Sequence, residues 1–548
     1  MGGEMKDWRR ILSNTFGLRD RRSRRRLTFA VIIPVAATGF GLGYSVGFSR
    51  SGTPVPASEF TATGVDAEAD TYIRSAEPEG AAGSEPQLLV GGSDEVGVAS
   101  TYVRFTVTQA PVRDARLEFA VADSGSEQLL EVVTVDGRWD EATLSAVEVP
   151  PFGRALDSAS GGGGTVSFDV SRLVTGVGVY AFAVTSPDER LLTRFHSREG
   201  GTAPRLNFRV PVTPTPSQSL TGGTQSTEAT YGAAPVGPCE VGVKLVPTCG
   251  ALWGVAPGAR SKEPRADAIA RFEERTGRPQ DVFHAYHRGD ELFPTDEEIA
   301  IARDPDRPRL LFLNWKPRGA TWAEIAAGDA DIDAYLDRLA AHLKEKFREP
   351  FFFTVHHEPE NDVDPREGSG KTAADYSAMF RYVVEYLRGK GVANLVTVMV
   401  YMAYLGWSTK PWHGDLYPGD EVVDWVSWDT YAYSDKGYGY GDFAEMVDRA
   451  DDSGAWPGYY RWAARTFPDK PLMLAEWGVW QSDKNPGHQA RFLAQARAQL
   501  AHFPRLKALV YYETANDRGK DSRIDEDPAT LSAFRELGQS RQFQVRIP

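Results

Sequence analysis

A chain of 548 residues with 41% hydrophobic content, 13 Trp, 21 Tyr and 27 Phe has apolar mass for more than one core, which excludes a disordered or fibrous protein. Its formal charge of -14 excludes general nucleic-acid binding, which needs basic patches against phosphate. Uncharged glycans remain open as ligands.

Residues 1–26 end in the basic run RRSRRR and precede LTFAVIIPVAATGFGLGYSVGF at 27–48, which contains no charged residue. About 20 apolar residues cross a bilayer, and flanking arginines favour a cytoplasmic N-terminus. Residues 1–26 therefore read as a cytoplasmic segment and 27–48 as a transmembrane helix or signal anchor, leaving the rest on the extracellular face of the cytoplasmic membrane. The competing reading is a secreted protein, its signal cleaved near Val55-Pro56-Ala57. Residues 49–66, rich in Gly, Pro, Ser and Thr, read as a spacer.

From 67 to 210 short β-branched runs such as TYVRFTVTQ, RLEFAVAD and VGVYAFAVTS alternate with turn residues, the pattern of an antiparallel β-sandwich or jelly roll. Residues 211–238 read as an extended Pro/Thr/Ser/Gly linker separating two globular units, with hydroxyls open to glycosylation. Beyond it stand the two cysteines, Cys239 and Cys249, which outside the cell suit one local disulfide; two buried thiols are the alternative.

From 239 to 548 eight apolar runs, from ALWGVAP to ALVYYET, alternate with amphipathic stretches such as DIDAYLDRLAAHLKEKF. Eight strand-helix units fit a (β/α)8 TIM barrel. The competitor is a doubly wound open sheet, but no Gly-rich phosphate loop follows the first run.

In such a barrel the C-terminal strand ends face one site. Glu358 ends the fourth run, in FFFTVHHEPEND, and Glu476 lies near the end of the seventh, in PLMLAEWGVW. Glycosidases use such a pair, one carboxyl protonating the leaving oxygen while the other attacks the anomeric carbon from the opposite face. That chemistry requires no metal and no organic cofactor. Trp315, Trp428 and Trp477 are candidate sugar platforms, with core packing as the alternative for each. Tyr431 reads as an orienting hydroxyl for the nucleophile or as a rim tyrosine, with Asp429 in its neighbourhood. His284 and His287 are weaker candidates for sugar hydroxyls, structural roles being favoured. Glu360 reads as exposed, and Tyr511, Tyr512 and Glu513 close the eighth run, where Glu513 is a decoy for a catalytic carboxylate.

The motifs NWKP at Asn314–Pro317, HHE at His356–Glu358, YPGDEVVDWVSWDTY at Tyr417–Tyr431 and LAEWG at Leu474–Gly478 occur in the order found in glycoside hydrolase family 26, a clan A barrel family that the chain resembles from Cys239 to about Gly538. The resemblance implies that Glu358 is the acid/base and Glu476 the nucleophile of a retaining endo-β-glycanase. It further implies that His357 is the histidine before the acid/base, that Tyr431 serves the nucleophile, and that a β-linked polysaccharide, mannan or β-glucan, is the substrate. The sequence departs from many mannan-cleaving members after Glu358, where Pro359-Glu360-Asn361-Asp362 replaces an Asn-Gly and aromatic stretch. Tyr512 stands on the eighth strand where a tryptophan platform is expected.

DTYIRS at Asp70–Ser75, TYVRF at Thr101–Phe105 and FHSREGGTAPRLNF at Phe195–Phe208 resemble DNRLRE-type modules, a β-sandwich group with carbohydrate-binding members. Tyr72, Trp139, Arg194 and Arg198 are then candidate glycan contacts. Sugar binding, calcium binding and a pure spacer role all stay open for this module. The reading that competes with an enzyme is a catalytically silent surface glycan-binding protein.

Overall fold

The computed structural model describes residues 60–123, 127–211, 238–515 and 520–547. The segments at 1–26 and 27–48 and nearly all of the 211–238 linker lie outside the described residues. Among those described, no helix is long and apolar enough to cross a membrane.

The first described residues correct the spacer boundary. Phe60–Asp66 form strand β1, which pairs along its whole length with β11, Arg205–Pro211. The others of this module are β2 Ala69–Arg74, β3 Gln87–Ser93, β4 Gly97–Val107, β5 Arg113–Ala120, β6 Leu129–Val135, β7 Phe152–Ser160, β8 Thr165–Asp169, β9 Gly178–Thr185 and β10 Leu192–His196. One sheet runs β1-β11-β5-β8 and the other β10-β3-β4-β9-β6-β7, with β2 paired to β4. All pairings are antiparallel. Alternate residues point to the same face of a strand, so Val103, Phe105 and Val107 of β4 meet Leu117 and Phe119 of β5 in a core completed by Phe168, Phe182, Phe195 and Leu206. This is the expected sandwich.

The barrel domain opens on β12, Cys239–Glu240, which pairs in parallel with β21, Val545–Arg546, and Cys239 is disulfide-bonded to Cys249. Eight parallel strands close the barrel: β13 Leu252–Ala256, β14 Val282–Arg288, β15 Leu310–Lys316, β16 Phe351–Val355, β17 Leu395–Met402, β18 Trp425–Tyr433, β19 Leu472–Trp480 and β20 Leu506–Tyr512. Leu252, Val282, Phe312, Phe352, Val398, Trp425, Met473 and Val510 fill its interior, while the alternate residues face the helices. The helix Ala330–Lys346 shows why the surrounding shell forms. Asp329 caps its first turn, accepting from Asp331 N and Ile332 N, and Ile332, Leu336, Leu339 and Leu343 make one buried stripe. Helix Ala373–Gly389 starts with a Thr372/Asp375 capping box.

The module packs directly on the barrel, so the two units are in contact despite the linker between them. Tyr460 donates to Glu131 at 2.8 Å, Arg461 to Asp188 at 2.9 Å, and Lys507 to the carbonyls of Gly153 and Phe152 at 2.8 and 3.3 Å. Gln542 both donates to Pro150 O and accepts from Phe152 N, and Ser100 meets His502 at 3.1 Å. Ala498 and Ala501 of the barrel complete an apolar cluster with Val133, Trp139 and Phe152 of the module.

Candidate active site

Glu358 and Glu476 both stand at the C-terminal mouth of the barrel, and the backbone explains how each gets there. In β19 the register against β18 slips between the pairs Trp428–Leu474 and Asp429–Glu476, leaving Ala475 as an extra residue. Such a bulge reverses the strand's alternation. Ala475 belongs to the barrel interior, and Glu476 follows it to the same side while Trp477 turns out to the helices. At the end of β16, His356 and Glu358 take left-handed backbone angles, φ 53° and 50°. For residues with a Cβ this conformation costs about 1–2 kcal/mol each. It is held by hydrogen bonds from His356 N to Trp315 O at 2.8 Å and from Glu358 N to Val400 O at 3.1 Å. Strain retained at a strand end of this kind is typical of functional sites.

The Glu476 carboxylate is gripped by two phenols. Tyr286 donates to Oε1 at 2.6 Å and Tyr431 to Oε2 at 2.5 Å. Burial pushes the Glu476 carboxyl up, and these two donors oppose the rise by stabilising the anion. His357 Nε2 lies 3.7 Å from Oε1. Its Nδ1 pairs with the Asn314 side-chain amide, and burial lowers the imidazole to about 3, so it stands neutral beside the nucleophile candidate. Glu358 is raised as well: desolvation in the cleft, then the charge of Glu476, bring it to about 8 against the opposing charges of Lys520, Lys316 and Arg260. Asn361 Nδ2 donates to Glu358 Oε2 at 3.0 Å. Below that value Glu358 holds a proton.

Asp429 is buried beside the pair, and neither of its oxygens has a hydrogen-bond partner of normal geometry. Burial and then Glu476 and Glu358 hold its carboxyl well above the usual range, with only the Glu476 backbone amide opposing. The turn after Glu358 is locked by Asp362, which accepts from His356 Nε2 at 2.8 Å and Lys316 at 2.6 Å, while Trp322 donates to His356 Nδ1 at 3.0 Å. Glu360 corrects the reading of an exposed carboxylate: it is 1% exposed, and its Oε1 accepts from Met402 N at 3.0 Å. The short helical turn Pro359–Asn361 swings it inward against β17.

The three tryptophan platforms are overturned. Trp315, Trp428 and Trp477 are each 0% exposed on the helix-facing side of their strands. Trp315 stacks on Tyr335 and donates to Gly289 O; Trp428 lies against Tyr459; Trp477 packs between Trp253, Phe443 and Tyr511. The aromatic wall beside Glu476 is instead Trp480, stacked on Tyr431 at 4.5 Å, with Tyr433 and Tyr512 in the same cluster. Tyr512 keeps its place at the mouth, where Arg260 donates to its hydroxyl at 3.1 Å. His284 is buried under the site, stacked on Phe312 and 3.3 Å from the Tyr286 hydroxyl, so it supports Tyr286 and does not meet substrate. His287 faces Glu298 at 3.1 Å, away from the pair. Glu513 is structural, accepting from Gly258 N to hold the loop after β13. In the module Tyr72 and Trp139 are buried, and Arg194 and Arg198 are paired with Asp123 and Glu141.

Sequence reading missed Tyr286, Trp480 and Asn314 as members of this site. The alternation Val282, His284, Tyr286 along β14 was the available signal for the first.

Two family models match the chain: glycosyl hydrolase family 26 over residues 323–451 and carbohydrate-binding module family 96 over residues 61–209. The first match spans Glu358, Asp429 and Tyr431; Glu476 lies beyond it. Among solved structures, the chain is similar to a ruminal GH26 endo-β-1,4-mannanase, at 15% identity over 82% of this chain and 89% of that one, TM-score 0.38. It is also similar to a GH26 β-mannanase from Bacteroides ovatus, at 15% identity, 54% and 90% coverage and TM-score 0.37. An endo-β-1,4-mannanase double mutant from Cellulomonas fimi matches at 19% identity, 55% and 75% coverage and TM-score 0.38. The chain is a glycoside hydrolase, with a family 26 region in its barrel and a family 96 carbohydrate-binding module ahead of it.

Proposed function

We propose that the barrel is a retaining endo-β-glycanase that cleaves a β-linked polysaccharide, mannan or β-glucan, by double displacement. The observation that carries this reading is the unequal treatment of two carboxyls that burial raises in one cleft. Glu476 is held by two hydroxyl donors that favour its anion, while Glu358 is pushed to about 8 by desolvation and by that anion.

In the first step a Glu476 oxygen attacks the anomeric carbon, the glycosidic C–O bond breaks, and the Glu358 proton moves to the departing oxygen. Esterified Glu476 no longer carries charge, so Glu358 loses its chief electrostatic reason to hold a proton and accepts one from water. That water attacks the anomeric carbon and Glu476 leaves as carboxylate. Tyr431 and Tyr286 hold the attacking oxygens, and neutral His357 adds no positive charge that would blunt them. Tyr431 and Tyr433, the partly exposed rings beside buried Trp480 and Tyr512, offer ring surface to the sugar.

The substrate assignment rests on the family 26 match. We place the enzyme outside the cytoplasmic membrane, anchored by residues 27–48 or secreted. The Cys239–Cys249 disulfide and the RRSRRR run before the apolar segment support that location. The test is digestion of glucomannan and mixed-linkage β-glucan by the full chain, with NMR of the first product formed. A β-anomer appearing before mutarotation is expected; an initial α-anomer, or turnover undiminished in Glu358→Gln and Glu476→Gln, overturns the mechanism.

A further inference from the structure

Outside the barrel mouth, the module gathers three carboxylates of its own. Asp70 lies on β2, Glu141 in the turn after β6 and Glu199 in the turn between β10 and β11, and one oxygen from each lies within 4.8 Å of the other two. Like charges at that spacing repel, more strongly where water is excluded. Asp70 is 1% exposed. Its Oδ2 accepts from Arg198 N at 2.9 Å, but its Oδ1, also out of contact with solvent, accepts from no group among the described residues. A buried carboxylate oxygen without a donor is costly and points to a missing partner.

The cluster already holds one positive group. The Arg198 guanidinium donates to both oxygens of Glu141 at 3.2 Å, and Glu141 Oε1 also accepts from Asp70 N at 3.1 Å. Three carboxylates thus share one guanidinium. Each carboxylate offers about four lone-pair sites, so Glu141 keeps acceptor capacity beyond these bonds.

We propose that Asp70, Glu141 and Glu199 form a divalent-cation site for Ca2+. The donor set is all oxygen, with no imidazole or thiolate to favour zinc or copper, and it suits a hard ion that tolerates irregular coordination and completes its shell with water. The ion supplies positive charge to carboxylates that outnumber the one guanidinium among them, and a further partner for Asp70. It also ties β2 to two turns distant in sequence, so it stabilises the folded module by binding that state alone. The site is independent of the carboxylate pair in the barrel.

The test uses the full chain after chelator treatment and exchange into calcium-free buffer. CaCl2 is titrated calorimetrically, and thermal unfolding is followed with and without the ion. One saturable site and a rise of several degrees in Tm are expected, with affinity lowered at least tenfold in both Asp70→Asn and Glu199→Gln. Asn is close to isosteric with Asp, and Glu199 is exposed, so circular dichroism of the two variants is expected to match the parent. Absence of saturable calcium binding, or binding undiminished in both folded variants, overturns the site. Activity on glucomannan is unchanged by Glu199→Gln in either outcome, which keeps this result separate from the fate of the proposed mechanism.

Discussion

Glu131, on the seam between module and barrel, is fully buried and accepts the Tyr460 hydroxyl at 2.8 Å, while Asp429, in the barrel mouth, is equally buried and has no normal hydrogen bond to either oxygen. Around Glu131 several other polar groups of the seam are also answered: Lys507 by two carbonyls, Arg461 by Asp188, Gln542 by the backbone on both sides. Around Asp429 stand two more carboxylates, Glu358 and Glu476, with their protons and charges unequally shared. Buried polar groups answered in this way help to hold two domains together. Buried carboxylates crowded with their own kind are a store of proton affinity for a reaction.

The sharpest break of this contrast is at Glu476. Glu476→Gln removes the attacking oxygen but keeps an acceptor for one of the two phenols, so kcat should fall on the order of 10^4-fold while the thermal midpoint stays the same or rises. Rate and calorimetry on one preparation check both halves. A comparable loss of stability would mean that Glu476 is a packing group like Glu131.

Glu358 comes next. Glu358→Gln removes the proton donor, and kcat should fall about 10^2- to 10^4-fold on substrates with poor leaving groups. In the parent enzyme, activity should decline as pH climbs through about 8, because deprotonated Glu358 no longer assists departure, and residual turnover in the variant should lack that limb. The sign for stability is the reverse of a salt-bridged carboxylate. The folded chain binds this proton more tightly than an unfolded chain does, so Glu358 stabilises at low pH and its contribution is lost as pH rises from the unfolded value near 4.5 toward about 8. Glu358→Gln should therefore unfold later than the parent at pH 8 and show little difference at pH 4, in thermal scans at the two values.

Most of this layout was legible before any coordinates, and the exceptions have identifiable causes. Eight apolar runs with helical stretches between them sufficed for the barrel, because its strands are buried on both faces. Strand parity also carried information that motif reading passed over. Leu311, Leu313 and Trp315 share one face of β15, as Val426 and Trp428 share one face of β18, and those faces meet the helices. Parity on β14 would likewise have brought Tyr286 inward with Val282 and His284. On β19 parity misleads, because the bulge at Ala475 exchanges the places of Glu476 and Trp477, and no residue type there announces an extra residue. Glu360 was misjudged because nothing in Pro359-Glu360-Asn361 fixes which way a short turn aims its middle side chain. The seam was invisible for a different reason: its partners lie hundreds of positions apart, and a linker rich in Pro, Ser and Thr suggests separation whatever the domains do afterward.

Tyr431 sharpens the contrast at smaller amplitude. Tyr431→Phe removes one of the two donors that favour the Glu476 anion, and kcat should fall about 10^2-fold. The same loss raises the proton affinity of Glu476, so the acid limb of the pH profile should move to higher pH. A merely packed tyrosine would lower stability and leave that limb in place, so the pH profile separates the two roles.

Tyr460→Phe is the matching experiment on the seam. The hydroxyl donates to Glu131 and also accepts from Arg505 N at 3.2 Å, so its removal strands a carboxylate on one domain and an amide on the other. Leaving buried polar groups unmet costs about 1–3 kcal/mol, and unfolding in urea should show that loss. The ring itself stays packed against Phe503, and the site chemistry is untouched, so kcat and its pH profile should match the parent. If turnover fell with stability, module and barrel would share more than a boundary, and the division between paired and crowded charge would fail at the place where it is most clearly drawn.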